Sequence, residues 1–466
     1  MSNRSFLRNS SIALLLLSSG CSSTNAPLVD SGVMSDSSVT KADASMGTLD
    51  AGDAASTGTA DASDAAPASS SDGGFAGPAP LTGLAGTAAR PMLTDGQASE
   101  YLVLEYLAKA GDLPSGLTTD NWNPTAGLGD VSAFAATYTV MAGGTYPTVQ
   151  SAVDAAVAAG GTNRAYILVS PGTYREVVCV PQAAPPITLY STNADATQTT
   201  IVFGNYNGLM KTAGTPANPC TMNASAVTYG TAGSATFSAF GKGFQAKNIT
   251  FSNDVSPATV SGVAGSQGVA LMTQADQVIL ENVRVLGHQD SLYLESPNGA
   301  TVVRTYVKDS YIAGDVDYIF GAATSVIDHC TIQFVSDRTM TGQVLAPDTD
   351  ARNPYGILVI NGHFTADSTT VMGIGLGRAW DHSCVDVPTY LSSPNCVAAT
   401  NGSYPNGQAV VRSSMLDAHI STTTPWKAAA TTKRGFSTTP WMCSAPDGAP
   451  AGTCPANRLY EYQDTP

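Results

Sequence analysis

Three short phrases set polar, reactive side chains into otherwise apolar, strand-like sequence. They are Gly265-Ser266-Gln267-Gly268-Val269-Ala270-Leu271, Gly287-His288-Gln289-Asp290-Ser291-Leu292-Tyr293 and Gly314-Asp315-Val316-Asp317-Tyr318-Ile319-Phe320-Gly321. Gln267 and Gln289 stand 22 residues apart, and Asp290 and Asp317 stand 27 apart. In a chain wound into coils of about that length, each pair falls on adjacent rungs, and rungs of a parallel stack are about 4.8 Å apart. Two carboxylates that close do not both ionise comfortably, so one holds a proton near neutral pH. An acid and a base at one site are what ester hydrolysis needs. A fourth phrase, Gly375-Leu376-Gly377-Arg378-Ala379-Trp380, adds a guanidinium able to keep one aspartate ionised and an indole face on which a sugar ring packs. Taken singly, each phrase has an ordinary structural explanation, since buried Asp–Arg pairs and amide ladders are common in stacked strands. Taken together and in this order, they describe a reactive site.

Such a site needs a scaffold that stacks strands. From about residue 137 onward the chain reads as many short strands broken by Gly, Asn and Asp. A phrase of one polar residue, two variable positions and one apolar residue recurs at Asn248–Phe251, Asn282–Val285, Asp309–Ile312, His329–Ile332, Asn361–Phe364 and Ser413–Leu416. The first five copies are 34, 27, 20 and 32 residues apart, which suits a solenoid whose loops vary while its strands stack. A β-sandwich has equally short strands, but no tight Asn-Gly or Asp-Gly hairpin joins neighbouring copies. The expected fold is all-β, a right-handed single-stranded parallel β-helix. The segment Thr148–Ala159 is helical in period, with Val149, Ala152, Val153 and Ala156 on one face, and is the expected N-terminal capping helix. On this reading Cys330 points inward from a rung as a reduced, buried thiol.

The first part of the chain has another character. Arg4 and Arg8 precede an apolar run from Ile12 to Leu17 that is too short to span a bilayer, and Gly20 leads into Cys21. Residues 1–20 thus read as a lipoprotein-type signal with Cys21 as the lipidated residue. Residues 21–85 are Ser, Ala, Asp, Gly and Thr with few large apolar side chains and read as a disordered tether. Residues 86–136 are an N-terminal extension expected to pack on the catalytic domain, which spans 137–466. The tether holds eight Asp and one Lys, so about −10 of the formal −15 belongs to the folded part. That acidity argues against nucleic acid as a partner and favours a polymer whose carboxylates are masked as esters. Among the eight cysteines, Cys384 with Cys396 and Cys443 with Cys454 are spaced as local staples of long loops, and Cys179 with Cys220 can form a third pair. The five histidines are scattered, and no ligand spacing points to a metal or any other cofactor.

From Thr137 to the C-terminus the sequence resembles the pectin methylesterase family. Gly172-Thr173-Tyr174-Arg175-Glu176, Gly243 to Phe251, the three reactive phrases and Leu376-Gly377-Arg378-Ala379-Trp380 match its motifs in order. Departures are Ser291 for Thr, Tyr318 for Phe, Ala379 for Pro and Gly268 for Ala, none of which removes an acidic, amide or guanidinium group. The lipoprotein-like start is similar to a bacterial outer-membrane branch of the family. The resemblance implies removal of C6 methyl esters from galacturonate units of pectin, with release of methanol. It implies Asp317 as nucleophile, oriented and kept ionised by Arg378. Asp290 would be the acid and base, and the side-chain amides of Gln267 and Gln289 would hold the oxyanion. Trp380 and Phe320 would line the sugar subsites. Tyr293 and Tyr318 are either groove residues or core aromatics. The expected partner is methyl-esterified pectin, met by a monomer that is exported and held by lipid to the outer membrane or secreted. A lyase would instead need a calcium-binding carboxylate cluster, a glycosidase carboxylates set about a glycosidic bond, and an adhesin no such constellation at all.

Overall fold

A computed structural model describes residues 84–211, 218–221, 225–381, 405–440 and 456–466. The signal, Cys21, most of the tether and the pairs Cys384–Cys396 and Cys443–Cys454 lie outside the described residues. Each coil of the chain visits three sheets in turn. The first is ten-stranded and runs from Tyr138–Val140 to Arg458–Tyr462. The second has eight strands, from Gly172–Arg175 to Met415–Leu416, and the third has eight, from Val178–Val180 to Trp426–Lys427. Within all three sheets every strand pairs in parallel with its equivalent on the next coil, which makes the molecule a parallel β-helix rather than a sandwich.

The recurring polar phrase is the corner between the first and second sheets. Asn248, Asn282, Asp309, His329, Asn361 and Ser413 all have φ between 48° and 62°. L-residues rarely adopt that left-handed region, and Asn and Asp tolerate it best. The amides also stack: Asn282 Nδ2 donates to Asn248 Oδ1 at 2.8 Å, and Asn248 Nδ2 donates to Ser191 O at 2.9 Å. The apolar member of each phrase, Phe251, Val285, Ile312, Ile332, Phe364 or Leu416, points into a core that runs the length of the coil. Cys330 is in that core, its thiol donating to Asp328 O at 3.4 Å.

The helix Val149–Ala159 covers the first coil, with Val149, Ala152, Val153 and Ala156 buried in the core. The Thr148 hydroxyl caps it by accepting from Ser151 N. The backbone N–H groups of Val149 and Gln150 donate to the Glu176 carboxylate at 2.8 and 2.9 Å. The glutamate of the Gly-Thr-Tyr-Arg-Glu phrase therefore satisfies two orphan donors of a helix 26 residues away.

The segment before the coil packs on the outer face of the first sheet. Leu93, Tyr101, Tyr106 and Leu107 join Ile279, Tyr306, Leu358 and Tyr460 in a second apolar cluster. Arg304, fully buried, binds it further through Asp120 at 2.7 Å and the Leu107 carbonyl at 2.7 Å. A disulfide joins Cys179, on the first strand of the third sheet, to Cys220.

Candidate active site

Register places the reactive residues. In the third sheet Leu271, Leu292, Ile319 and Leu345 are successive partners. Two residues before Leu292 and Ile319 stand Asp290 and Asp317, so the aspartates hold the same place on adjacent coils. Ladder bonds continue there: Asp290 N donates to Val316 O at 3.2 Å and Asp317 N to Gln343 O at 2.8 Å. Both aspartates have left-handed backbone, φ 68° and 50°, at the corner between the second and third sheets. Such a conformation is costly in a non-glycine residue and is found preferentially at functional positions. Asp290 is 2 % exposed and Asp317 is 0 %.

Arg378 lies two coils beyond Asp317, farther along than a neighbouring rung. By register it stands beside Ala346, which stands beside Phe320. The small alanine between them leaves room for the guanidinium to reach back. Arg378 Nε donates to Asp317 Oδ1 at 3.0 Å and Oδ2 at 3.2 Å, and its Nη2 donates to Oδ2 at 2.8 Å. A fork of this kind fixes both the charge and the rotation of the carboxylate.

The glutamines sit on the preceding rungs, where Gly268 N donates to Gln289 O at 3.1 Å. Each amide oxygen already has a donor. Gln267 Oε1 accepts from Asn207 Nδ2 at 3.1 Å, and Gln289 Oε1 accepts from the Ser266 hydroxyl at 3.3 Å. Among the described residues their N–H groups have no partner and can serve something else. The glycine at 268 has a local cause: a Cβ there would sit 2.9 Å from Asn253 Oδ1, and the Asn253 amide is tied to three carbonyls.

Outward-facing side chains of the third sheet form a small apolar floor of Ala235, Val269, Met272, Tyr293, Phe320, Ala346 and Trp380. Tyr293 and Phe320 are stacked with ring centroids 4.1 Å apart, and Trp380 meets Phe320 edge-on at 5.7 Å. Tyr318, entertained as a groove residue, is not part of this floor. It is fully buried in the central core, turned inward over Gly314, where any Cβ would collide with Tyr318 Cβ at 2.2 Å. Burial raises its phenol well above the ordinary value.

Four residues beyond those expected adjoin the site. Asn207 and Ser266 contact the glutamines, and behind Ser266 stand Arg338 and the fully buried Asp315. Arg338 Nε donates to Asp315 Oδ2 at 2.6 Å and Nη2 donates to Oδ1 at 2.5 Å. Burial lowers the guanidinium pKa, but Asp315, with Asp290 and Asp337 adding to it, leaves it raised. Ser266 and Asp315 lie inside reactive phrases, whereas Asn207 and Arg338 carry no local signal in the sequence. Among the described residues no group of three or more His, Cys, Asp or Glu side chains is arranged to hold a metal ion.

A family model described as Pectinesterase matches residues 136–388. A pectinesterase of Ralstonia solanacearum is 44% identical over 392 residues, covering 82% of this chain and 93% of that protein. The structure of rice weevil pectin methyl esterase superposes with a TM-score of 0.62 at 31% identity, over 82% of this chain and 98% of that one. The structure of Escherichia coli YbhC gives the same TM-score at 27% identity, over 84% and 96%. The E. coli protein's sequence, described as a putative acyl-CoA thioester hydrolase, is 31% identical over 75% of this chain and 81% of its own.

Proposed function

From the premise that the chain belongs to the pectinesterase family, we propose that it removes C6 methyl esters from galacturonate units of pectin by an Asp317–Asp290 mechanism. An Asp317 oxygen attacks the ester carbonyl carbon. The carbonyl oxygen takes up negative charge, and the amide N–H groups of Gln267 and Gln289 hold it; one well-placed donor of this kind is worth about 2.7–4 kcal/mol. As the tetrahedral intermediate collapses, the C–O bond to the methoxy group breaks and Asp290 gives that oxygen its proton, so methanol leaves. The acyl-enzyme is a mixed anhydride. Asp290, now a carboxylate, takes a proton from water, whose oxygen attacks the anhydride and frees the galacturonate acid and Asp317. Phe320, Tyr293 and Trp380 offer the sugar an apolar floor.

The observation that carries this reading is the three-contact pairing of Arg378 with Asp317, one rung from a second buried aspartate. Its test is Asp317→Asn with methanol release measured on highly esterified pectin. Asparagine is isosteric and tolerates the left-handed backbone, so circular dichroism should be unchanged and turnover at background. Substantial residual turnover would move the nucleophile elsewhere. A parallel assay on an acyl-CoA thioester distinguishes pectin from the other substrate class borne by a relative's name. We also propose that Cys21 is lipidated and holds the enzyme to a membrane, a reading supported by Arg4, Arg8, the run Ile12–Leu17 and the Gly20-Cys21 step. Cys21→Ser should release the protein from the membrane fraction.

A further inference from the structure

A hydrogen-bond chain takes a direction when one of its ends can do nothing but donate. Arginine is such an end, because it has five N–H groups and no acceptor. Arg338 is clamped by the fully buried Asp315 through Nε at 2.6 Å and Nη2 at 2.5 Å, and its remaining nitrogen, Nη1, donates to Ser266 Oγ at 3.2 Å. Ser266, accepting there, donates its own O–H to Gln289 Oε1 at 3.3 Å. A glutamine whose oxygen is occupied presents its NH2 group on the other side. The sense of the chain therefore runs Arg338, Ser266, Gln289, substrate oxygen. The partner amide lacks this device, since Asn207 and Gln267 are both amides, and a pair of amides can reverse together without losing their mutual bond.

We propose that Arg338, anchored by Asp315 and acting through Ser266, is a positioning residue that sets the direction of the Gln289 amide, so that the site offers a donor rather than an acceptor to the developing oxyanion. The proposal rests on the reading of Gln289 as an oxyanion donor. The chain couples segments distant in sequence: Arg338 and Asp315 are 23 residues apart, and Arg338 and Ser266 are 72 apart. Asp315 is further tied to the site because its N–H donates to His288 O, the residue before Gln289, at 3.2 Å.

A double-mutant cycle on methanol release tests it. Gln289→Ala should lower kcat by about 10²–10³-fold, as loss of one oxyanion donor does. Ser266→Ala, a small change at a half-buried position, should lower kcat by about threefold to tenfold, the scale of one hydrogen bond, with KM unchanged. In the Gln289→Ala background the serine change should have no further effect, because its only route to the reaction is gone. Arg338→Gln is made together with Asp315→Asn, so that no buried charge is left unpaired, and should reproduce the loss seen with Ser266→Ala. Arg338→Lys, which keeps a donor-only cation, should recover part of it. Ser266→Ala at the wild-type rate, or equal losses with and without Gln289, would overturn the proposal while leaving the oxyanion reading intact. A fully active Gln289→Ala would overturn that reading and the proposal with it.

Discussion

Replacing Arg378 with alanine separates a catalytic guanidinium from a merely structural one. The side chain makes three contacts with Asp317, whose carboxylate is fully buried. Stripping the partner from a buried charge costs about 3–5 kcal/mol. A cost on that scale, set against the reacting carboxylate, should lower turnover by about 10²-fold or more. The loss in methanol release should be larger on the acid side of the pH–rate profile than at its maximum. Lysine at 378 restores a charge but not the two-pronged geometry, and should recover only part of the rate. Stability supplies a second readout with a definite sign. An unpaired buried carboxylate costs stability as well as rate. Arg378→Ala should therefore unfold at lower urea concentration than wild type, by up to about 3–5 kcal/mol. An unchanged acid limb together with an unchanged maximal rate would refute the assignment of Arg378 to Asp317 ionisation.

Three further outcomes follow from the scaffold. Cys179 and Cys220 close a 41-residue separation, so the double serine variant should lose up to about 4 kcal/mol in urea denaturation, and an unshifted midpoint would show that the bridge does not constrain the unfolded chain. Burial pushes the Cys330 thiol up to about 12, so a thiol reagent at pH 8 should modify it only after unfolding; labelling of the native protein at that position would contradict its place in the core. Burial likewise pushes the Glu461 carboxyl up to about 7, against the lowering effect of its ion pair with Arg90. Its folded pKa lies above the unfolded one, so its stabilising contribution declines as pH rises through about 7, and Glu461→Gln should flatten stability between pH 5.5 and 8. A slope unchanged by that substitution would place the titrating group elsewhere.

Much of this architecture was legible because its causes are local. The capping helix announces itself by the spacing of Val149, Ala152, Val153 and Ala156, and all four are buried. The polar residue of the recurring phrase was visible because a left-handed corner favours Asn and Asp, although the phrase alone did not reveal that backbone. Spacing placed Asp290 and Asp317 on neighbouring coils, as the register does. It could not show that Arg378 reaches across an intervening strand, because that depends on the size of Ala346. Tyr318 was ambiguous for a related reason: its direction is set by the turn at Asp317 and the room above Gly314, not by alternation along a strand. Arg338 and the Tyr101–Tyr106 cluster were illegible because their partners are brought together only by winding. Tyr106, for example, donates to Gln408, 302 residues away.

The left-handed corners give this coil a spine and a margin. From the strand Gln245–Lys247 onward the link between the first and second sheets is two residues: Asn248-Ile249, Asn282-Val283, Asp309-Ser310, His329-Cys330, Asn361-Gly362 and Ser413-Ser414. Over these coils the variation in coil length falls on the other two edges, and the aspartates lie on one of them. A single residue added at one of these tight corners would slip the strand that follows it and turn its core face to solvent, whereas the longer link Ser191–Gln198 houses its extra residues in a loop that ends in a 3-10 turn. The same insertion at the margin costs only the slowly growing entropy of a longer loop. Chain length can thus be added beside the chemistry without disturbing the pitch that aligns it, and loop grafts meant to change substrate choice belong at that edge.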